Sequence, residues 1–418
     1  MRQLFGLMVV TAGLAVPTSL QAQDGLPAEL KPTGLLRTGF EFEPQAAGRN
    51  DGFIIYDARL GLSGKVGFIF DYVLGIEYDR DDEEFDLLDA VLSFPLGKSS
   101  VHLDFGAFRS PVGREATADK AMLPFAERSQ ASLALAPGRQ VGLQFRGDGM
   151  ESRFTWAAGL FNGNGIRLEN DDDSFLAAGR AAFNSVGDVE FFEDLVLELG
   201  VSFATTQDGS QRVLPAEVME GSVMGPFRTV DAIDYQGDRL IYGTDVRIAY
   251  RGWSLAGEYL RTEYDDTLGV SDVNAYGLTA DLRYMLWGLF DVGARYDGFM
   301  SAVALDGGDP ERNEFLVLGL GLAPGLYARV GLQYAIGLDG ATRGVQNPLD
   351  GTNTAPALTD DQFRAVLDFI AVPLESIHHR VVGGVQPLDD VNELAFELVP
   401  ECHGGGPWRC VGGDSCEV

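Results

Sequence analysis

The sequence predicts an all-β chain, a transmembrane antiparallel β-barrel of about sixteen strands. Apolar and polar residues alternate with period two through sixteen segments, most of which reach the ~9–11 residues that cross a bilayer at a tilt. Every second connection between them is short, and the others are long and polar. Past the N-terminus no stretch approaches the ~20 uninterrupted apolar residues of a membrane-spanning helix. A soluble sandwich also alternates, but its strands more often run to ~5–6 residues and nothing gathers its long loops at one end.

The chain opens with an expected export signal over residues 1–22: Arg2, an apolar run from Leu4 to Val16, then Pro17, Thr18 and Ser19, with Ala22 fitting the last position before the cut. Cleavage there would leave Gln23 first and, by removing Arg2, take the net charge from −31 to −32. The barrel is expected over 23–370, with strands near 35–42, 53–63, 66–79, 85–95, 101–109, 139–147, 153–161 and 175–184, then 195–205, 241–250, 253–264, 273–284, 288–297, 314–322, 325–335 and 361–370. In 53–63, Ile54, Tyr56, Ala58, Leu60 and Leu62 share a face opposite Asp57, Arg59, Gly61 and Ser63. In 66–79, Val66, Phe68, Phe70, Tyr72, Leu74, Ile76 and Tyr78 oppose Gly67, Asp71, Gly75, Glu77 and Asp79. The same split recurs for Val141, Leu143 and Phe145, for Phe154, Trp156, Ala158 and Leu160, for Tyr276, Leu278 and Leu282, and for Phe290, Val292, Ala294 and Tyr296. Tyr56, Tyr78, Trp253, Tyr264, Tyr276 and Tyr284 stand where interfacial girdles belong.

Short turns are expected at Gly64–Lys65, Leu96–Ser100, Asp148–Ser152, Ser185–Asp194, Arg251–Gly252, Met285–Trp287 and Ala323–Pro324. The long connections include 110–138, 206–240 and 336–360, and the acidic runs Asp79–Asp86 and Glu169–Asp173 fall at that same end. Such runs read first as solvated loop tips; clustered carboxylates could also hold divalent cations bridging to lipopolysaccharide phosphates. None has EF-hand order, so no metal site is assigned.

Composition narrows the function. Sixty-two carboxylates against 31 basic side chains exclude a general nucleic-acid binder, because phosphates would be repelled. The four lysines, Lys31, Lys65, Lys98 and Lys120, leave arginine as the main cation, and its planar fork suits oxyanions. There is no G-x-S-x-G, H-E-x-x-H, Walker loop or strand-to-helix G-x-G-x-x-G, so no catalytic residue, cofactor or enzymatic activity is expected. Of the four histidines only His102 lies on a strand, where it reads as a lumen-wall residue beside Asp104.

Gly106-Ala-Phe-Arg-Ser-Pro111-Val-Gly113-Arg-Glu115, then Phe125-Ala-Glu127-Arg128, Gly138-Arg139-Gln-Val141-Gly142 and Phe161-Asn162-Gly163-Asn-Gly165 resemble the phosphate-selective porin O/P family. Gly257-Glu258-Tyr259 and Ala294-Arg295-Tyr296 agree with it. The resemblance implies a homotrimeric sixteen-stranded porin of the bacterial outer membrane, among its lipid and lipopolysaccharide, with an inward-folded constriction loop that draws in small anions such as phosphate. It places Arg109, Arg114, Lys120, Arg128 and Arg139 at the anion path, and the inward-facing Arg37 and Arg59 are expected to join them there. The connection 110–138 is too long for a plain hairpin, and Ala116–Ala126 is expected to form a short helix in the barrel mouth. For Arg128, anion contact and a local ion pair with Glu127 that pins the loop are equally open.

Behind the loop, inward positions carry Arg37, Arg59, Arg146, Arg153, Arg180, Arg247, Arg283, Arg295, Arg329 and Arg364. Facing them are Glu41, Asp57, Asp71, Glu77, Asp79, Asp89, Asp104, Glu198, Asp245, Glu258, Asp281, Asp291 and Asp368. Facing rows of opposite charge describe a general diffusion pore with slight selectivity, and each pair also reads as a cross-strand salt bridge. The alternative is a structural or receptor-like barrel with a plugged lumen. The tail 371–418, with His378, His379, a possible strand at 391–399 and Cys402, Cys410 and Cys416, is expected to be loosely ordered or to close the barrel in part; its cysteines match no metal spacing.

Overall fold

The computed structural model describes residues 28–42, 52–78, 85–97, 99–166, 170, 173–186, 195–214, 233–266, 273–301, 311–325, 328–338 and 362–371. The expected signal segment 1–22, the tail beyond Ala371 with its cysteines and segment 391–399, and most of the acidic runs lie outside the described residues.

Sixteen strands follow in order: β1 (Ala28–Phe42), β2 (Gly52–Val66), β3 (Phe70–Tyr78), β4 (Phe85–Pro95), β5 (His102–Arg109), β6 (Arg139–Gly149), β7 (Phe154–Phe161) and β8 (Leu176–Val186). Then come β9 (Val196–Leu214), β10 (Ile233–Tyr250), β11 (Trp253–Asp266), β12 (Val273–Leu286), β13 (Phe290–Ser301), β14 (Glu311–Gly325), β15 (Ala328–Gly337) and β16 (Gln362–Ala371). Each pairs antiparallel with its neighbours, and β16 returns to β1, with Gly34 opposite Ala371 and Phe42 opposite Phe363. The barrel thus closes through 362–371, and closure satisfies every edge.

The outer face is the apolar one. Leu60, Leu74, Leu143, Phe145, Leu160, Leu199, Leu278, Leu282 and Val292 are all exposed, as a lipid-facing band requires. Trp253 and Tyr284 pair at a strand end, ring centres 4.6 Å apart. Between β10 and β11, Arg251 and Gly252 take φ of 46° and 83°, the doubly left-handed geometry of a tight two-residue hairpin.

Several expectations change, and two turns lie farther along the chain: β12 pairs as far as Leu286 opposite Phe290, into the turn expected at Met285–Trp287, and β14 as far as Gly325 opposite Ala328, past the one expected at Ala323–Pro324. The first turn lies at 67–69 rather than Gly64–Lys65, because β2 stays paired out to Val66 opposite Phe70; Phe68 is exposed in the turn. A bulge falls at Tyr56: Arg37 faces Asp57 while Thr38 faces Ile55. One extra residue inverts the phase, so Phe53 and Ile55 face out and Tyr56 is buried beside Arg37, not in a girdle. β9 and β10 run 19 and 18 residues, claiming much of the expected loop 206–240 as a paired arm. Arg153 lies in a turn rather than on the wall.

Candidate functional site

The connection from β5 to β6 folds inside the barrel. Its only regular elements are α1 (Arg114–Thr117), a 3-10 turn over Lys120–Met122 and α2 (Gln130–Ala134). The expected helix over Ala116–Ala126 does not form, since Pro124 cannot donate a backbone bond and the loop carbonyls are taken by wall arginines instead. Val112, Leu123, Phe125, Ala131 and Leu135 are buried. Val112, Ala131 and Leu135 pack on an apolar inner patch from β7 to β13 formed by Phe161, Leu176, Ile241, Leu260 and Phe299. Phe125 joins a second patch with Phe315 and Val317. The inner wall thus carries apolar patches under the loop, which the alternating pattern did not distinguish from charged wall.

Wall carboxylates seat both helical turns. Glu258 accepts the backbone N–H of Arg114 at 2.6 Å and of Glu115 at 3.0 Å. Asp297 accepts the N–H of Gln130 at 3.2 and 3.1 Å, and Ser129 caps the same turn by accepting from Ser132. Gly113, at φ 78°, brings the backbone so near that a Cβ would lie 2.9 Å from Glu258 Oε1. A Cβ at Gly277 would overlap Ala131, so that glycine opens the seat of α2.

Wall arginines take the loop carbonyls. Arg295 donates to Asp281 at 2.7 and 3.0 Å, to Glu115 at 2.5 Å and to the Glu127 carbonyl at 3.1 Å, while lying 4.5 Å from the Phe125 ring centre. Arg329 donates to the carbonyls of Leu123 and Pro124, each at 2.5 Å. Burial works to raise Glu115, but Arg295 and hydrogen bonds from Ser129 outweigh it and hold the carboxyl below its ordinary range.

The seven residues expected at the anion path take different places. Arg37 donates to Asp57 at 2.7 Å and to the Ala126 carbonyl. Arg59 grips Glu77 at 2.9 and 2.8 Å. Lys120 pairs with Asp57 and lies 3.8 Å from Glu77. Arg109 donates to the carbonyls of Ala116 and Ala118. Arg128 donates to the carbonyls of Glu115 at 3.1 Å and Ala118 at 2.5 Å. It therefore pins the loop, but through carbonyls and without an ion pair to Glu127, whose nearest cation is Arg37 at 3.7 Å. Burial pushes Arg128 down to about 10, with Arg59 and Arg139 adding repulsion. Arg139 meets Asp89 at 3.2 and 3.3 Å. Arg114 offers its backbone N–H to Glu258, and its buried Nε makes no hydrogen bond. Arg59, Arg109, Lys120, Arg128 and Arg139 thus share the β2–β6 side, and Arg114 opens α1 where its backbone meets Glu258 of β11. The sequence offered Arg295 and Arg329 only as wall charges, and nothing in it marked Glu258 and Asp297 as helix caps.

Farther along the lumen, Arg146 pairs with Asp104 at 2.7 Å, Arg180 with Asp245 at 2.6 Å, Arg247 with Glu198 at 2.5 Å, and Arg283 with Asp291. Lys120, Arg139, Arg146, Arg247 and Arg283 nonetheless keep between 18% and 29% of their side-chain surface accessible. The arrangement offers solvent-reached cations whose charge is largely balanced by adjacent carboxylates.

The family model for phosphate-selective porin O and P matches residues 37–299. Among solved structures, the chain is similar to OmpT, an outer membrane protein of Vibrio cholerae in its trimer form, with 16% identity, coverage of 82% of this chain and 99% of that chain, and a TM-score of 0.55. It is also similar to the anion-selective porin from Comamonas acidovorans, at 14% identity, 82% and 100% coverage and a TM-score of 0.53. The outer membrane channel DcaP of Acinetobacter baumannii aligns at 11% identity over 84% and 99%, with a TM-score of 0.51. No curated protein matches the chain.

Proposed function

The chain belongs to the phosphate-selective porin O and P family, and from that premise we propose an outer-membrane channel for passive diffusion of small hydrophilic solutes, phosphate and other oxyanions among them. The supporting observation is the partial exposure of Lys120, Arg139, Arg146, Arg247 and Arg283 inside a closed barrel. A plugged lumen would bury these groups along with the loop. The channel acts without catalysis, as a homotrimer held among outer-membrane lipid and lipopolysaccharide, after export through the signal segment 1–22.

The proposed anion path divides by exposure. Lys120 and Arg139 reach solvent and can exchange a carboxylate partner for a passing anion. Arg114, at the start of α1, is a third contact. Arg37, Arg59, Arg109 and Arg128 shape the path by fixing the loop and adding to its potential. Because each solvent-reached cation has a carboxylate beside it, selectivity is slight, and any oxyanion preference comes from the loop's β2–β6 side.

The test is the reversal potential of the purified protein in a planar bilayer under a KCl gradient, repeated with phosphate. Anion selectivity with chloride current blocked by phosphate supports an oxyanion site. Weak or cation selectivity without block leaves a general diffusion pore, and an absence of channel steps overturns the reading.

A further inference from the structure

Behind the loop, three inward positions form one register row: Glu258 of β11 faces Thr279 of β12, and Thr279 faces Asp297 of β13. All three are at most 4% exposed. The loop hangs on the two ends of this row, since Glu258 receives the N–H groups that open α1 and Asp297 receives the one that opens α2. The Thr279 hydroxyl between them is buried and has no hydrogen-bond partner.

We propose that Glu258 and Asp297 are positioning residues whose ionisation holds the loop 110–138 against the wall, so that protonating the row releases it and reduces the flow through the pore. This rests on the reading of that loop as the constriction. An ionised carboxylate accepts from two N–H groups at once and complements the positive end of a helical turn. A protonated carboxyl loses that charge and presents an O–H, which needs an acceptor of its own. Facing residues on paired strands stand about 4.5–5.5 Å apart at Cβ, so Thr279 Oγ1 is placed to serve as that acceptor.

The charged surroundings favour such a switch. Glu258 is faced by Asp245 of β10, itself held by Arg180, and by Arg114 and Glu115 of the loop. Asp297 is faced by Arg295 of its own strand, by Asp281 of β12 and again by Glu115. Carboxylates outnumber guanidiniums in this enclosed set, and full ionisation leaves negative charge uncompensated where water is scarce. Arg295 keeps its hold on Glu115 and on the Glu127 carbonyl, so release turns the helical N-termini about that clamp while the loop stays in the lumen.

The experiment is the single-channel conductance of the full protein in a planar bilayer between about pH 8 and about pH 4, the span over which ordinary and buried carboxyls titrate. Conductance falls and open-channel noise rises reversibly in acid. Glu258→Gln and Asp297→Asn each carry the reduced, noisy state to neutral pH and flatten the profile. Asp148→Asn, at the exposed end of β6 where the carboxylate accepts from Ser152, keeps the parental profile. Thr279→Val shifts the acid transition and keeps the test decisive should either acid variant fail to fold. A pH-independent parental conductance, or acid and threonine variants that titrate like the parent, overturns the proposal. An absence of channel steps at every pH overturns the pore reading and this proposal with it.

Discussion

Replacing Arg295 with Met separates the loop's stability from the barrel's. The guanidinium is 1% exposed and serves Asp281, Glu115 and the Glu127 carbonyl together. Removing it leaves two buried carboxylates without their cation, and breaking such a set from one side costs about 3–5 kcal/mol. The ladder bonds of β13 with β12 and β14 are untouched, so the cost falls on the seated loop. At about 1.4 kcal/mol per tenfold, the open fraction of the loop rises roughly a hundred- to several-thousand-fold. The assay is trypsin digestion of the folded protein, because Arg114, Lys120 and Arg128 are cleavable only when the loop leaves the wall. Electrophoretic mobility before and after heating reports the intact barrel. Arg295→Met is expected to be cut within the loop while remaining a barrel. Adding Glu115→Gln and Asp281→Asn removes the stranded charges and restores part of the protection. A folded Arg295→Met as resistant as the parent would refute the assignment of Arg295 as the loop's clamp.

Gly277→Ala drives a Cβ into Ala131 and is expected to cost about 1–3 kcal/mol at the loop, read in the same digestion, whereas Gly52→Ala enters open space and leaves it unchanged. Deleting Tyr56 removes the bulged residue and keeps every lipid-facing side chain of β2 on its face; deleting Ala58 shifts the phase and is expected to abolish the heat-modifiable barrel band. Glu115 titrates below the ordinary carboxylate range in the folded loop, so its contribution is fully present above the unfolded value and is lost only as pH falls through the lowered one. Acid-stable protease digestion through that strongly acidic range should therefore show a loop opening that Glu115→Gln has already undergone at neutral pH.

The strands were legible because lipid enforces a period of two. Segments such as Phe290–Tyr296 have no other way to place Phe290 and Val292 outside and Asp291 and Arg295 inside. Where lipid is absent, the signal fades: Thr206 to Arg212 alternates nothing, yet β9 continues through it because β10 pairs with it. The bulge at Tyr56 is invisible because its sequence continues the apolar alternation, and only pairing with Arg37 and Thr38 reveals the inversion. The loop's cations could be named from sequence, but not their partners. Arg128 stands next to Glu127 in the chain, yet its donors turn to the carbonyls of Glu115 and Ala118, a choice made by the fold of the loop.

The pairing of cations with carboxylates also decides which variants report permeation. Asp57 is fully buried and is shared by Arg37, Lys120 and, at 3.4 Å, Arg59. Removing Arg37 would free the Ala126 carbonyl and take from Glu127 the guanidinium beside it, so a changed current would report a moved loop. Lys120 differs: its ammonium is the solvent-reached member, and without it Asp57 retains two guanidiniums. Lys120→Gln therefore removes one cation from the solute's path while leaving the seat intact. Its reversal potential under a KCl gradient should move toward cation selectivity, with loop protection against chymotrypsin unchanged. An unshifted potential would place the ions' path away from Lys120, whereas a shift accompanied by cleavage would mean that Lys120 holds the loop as Arg37 does.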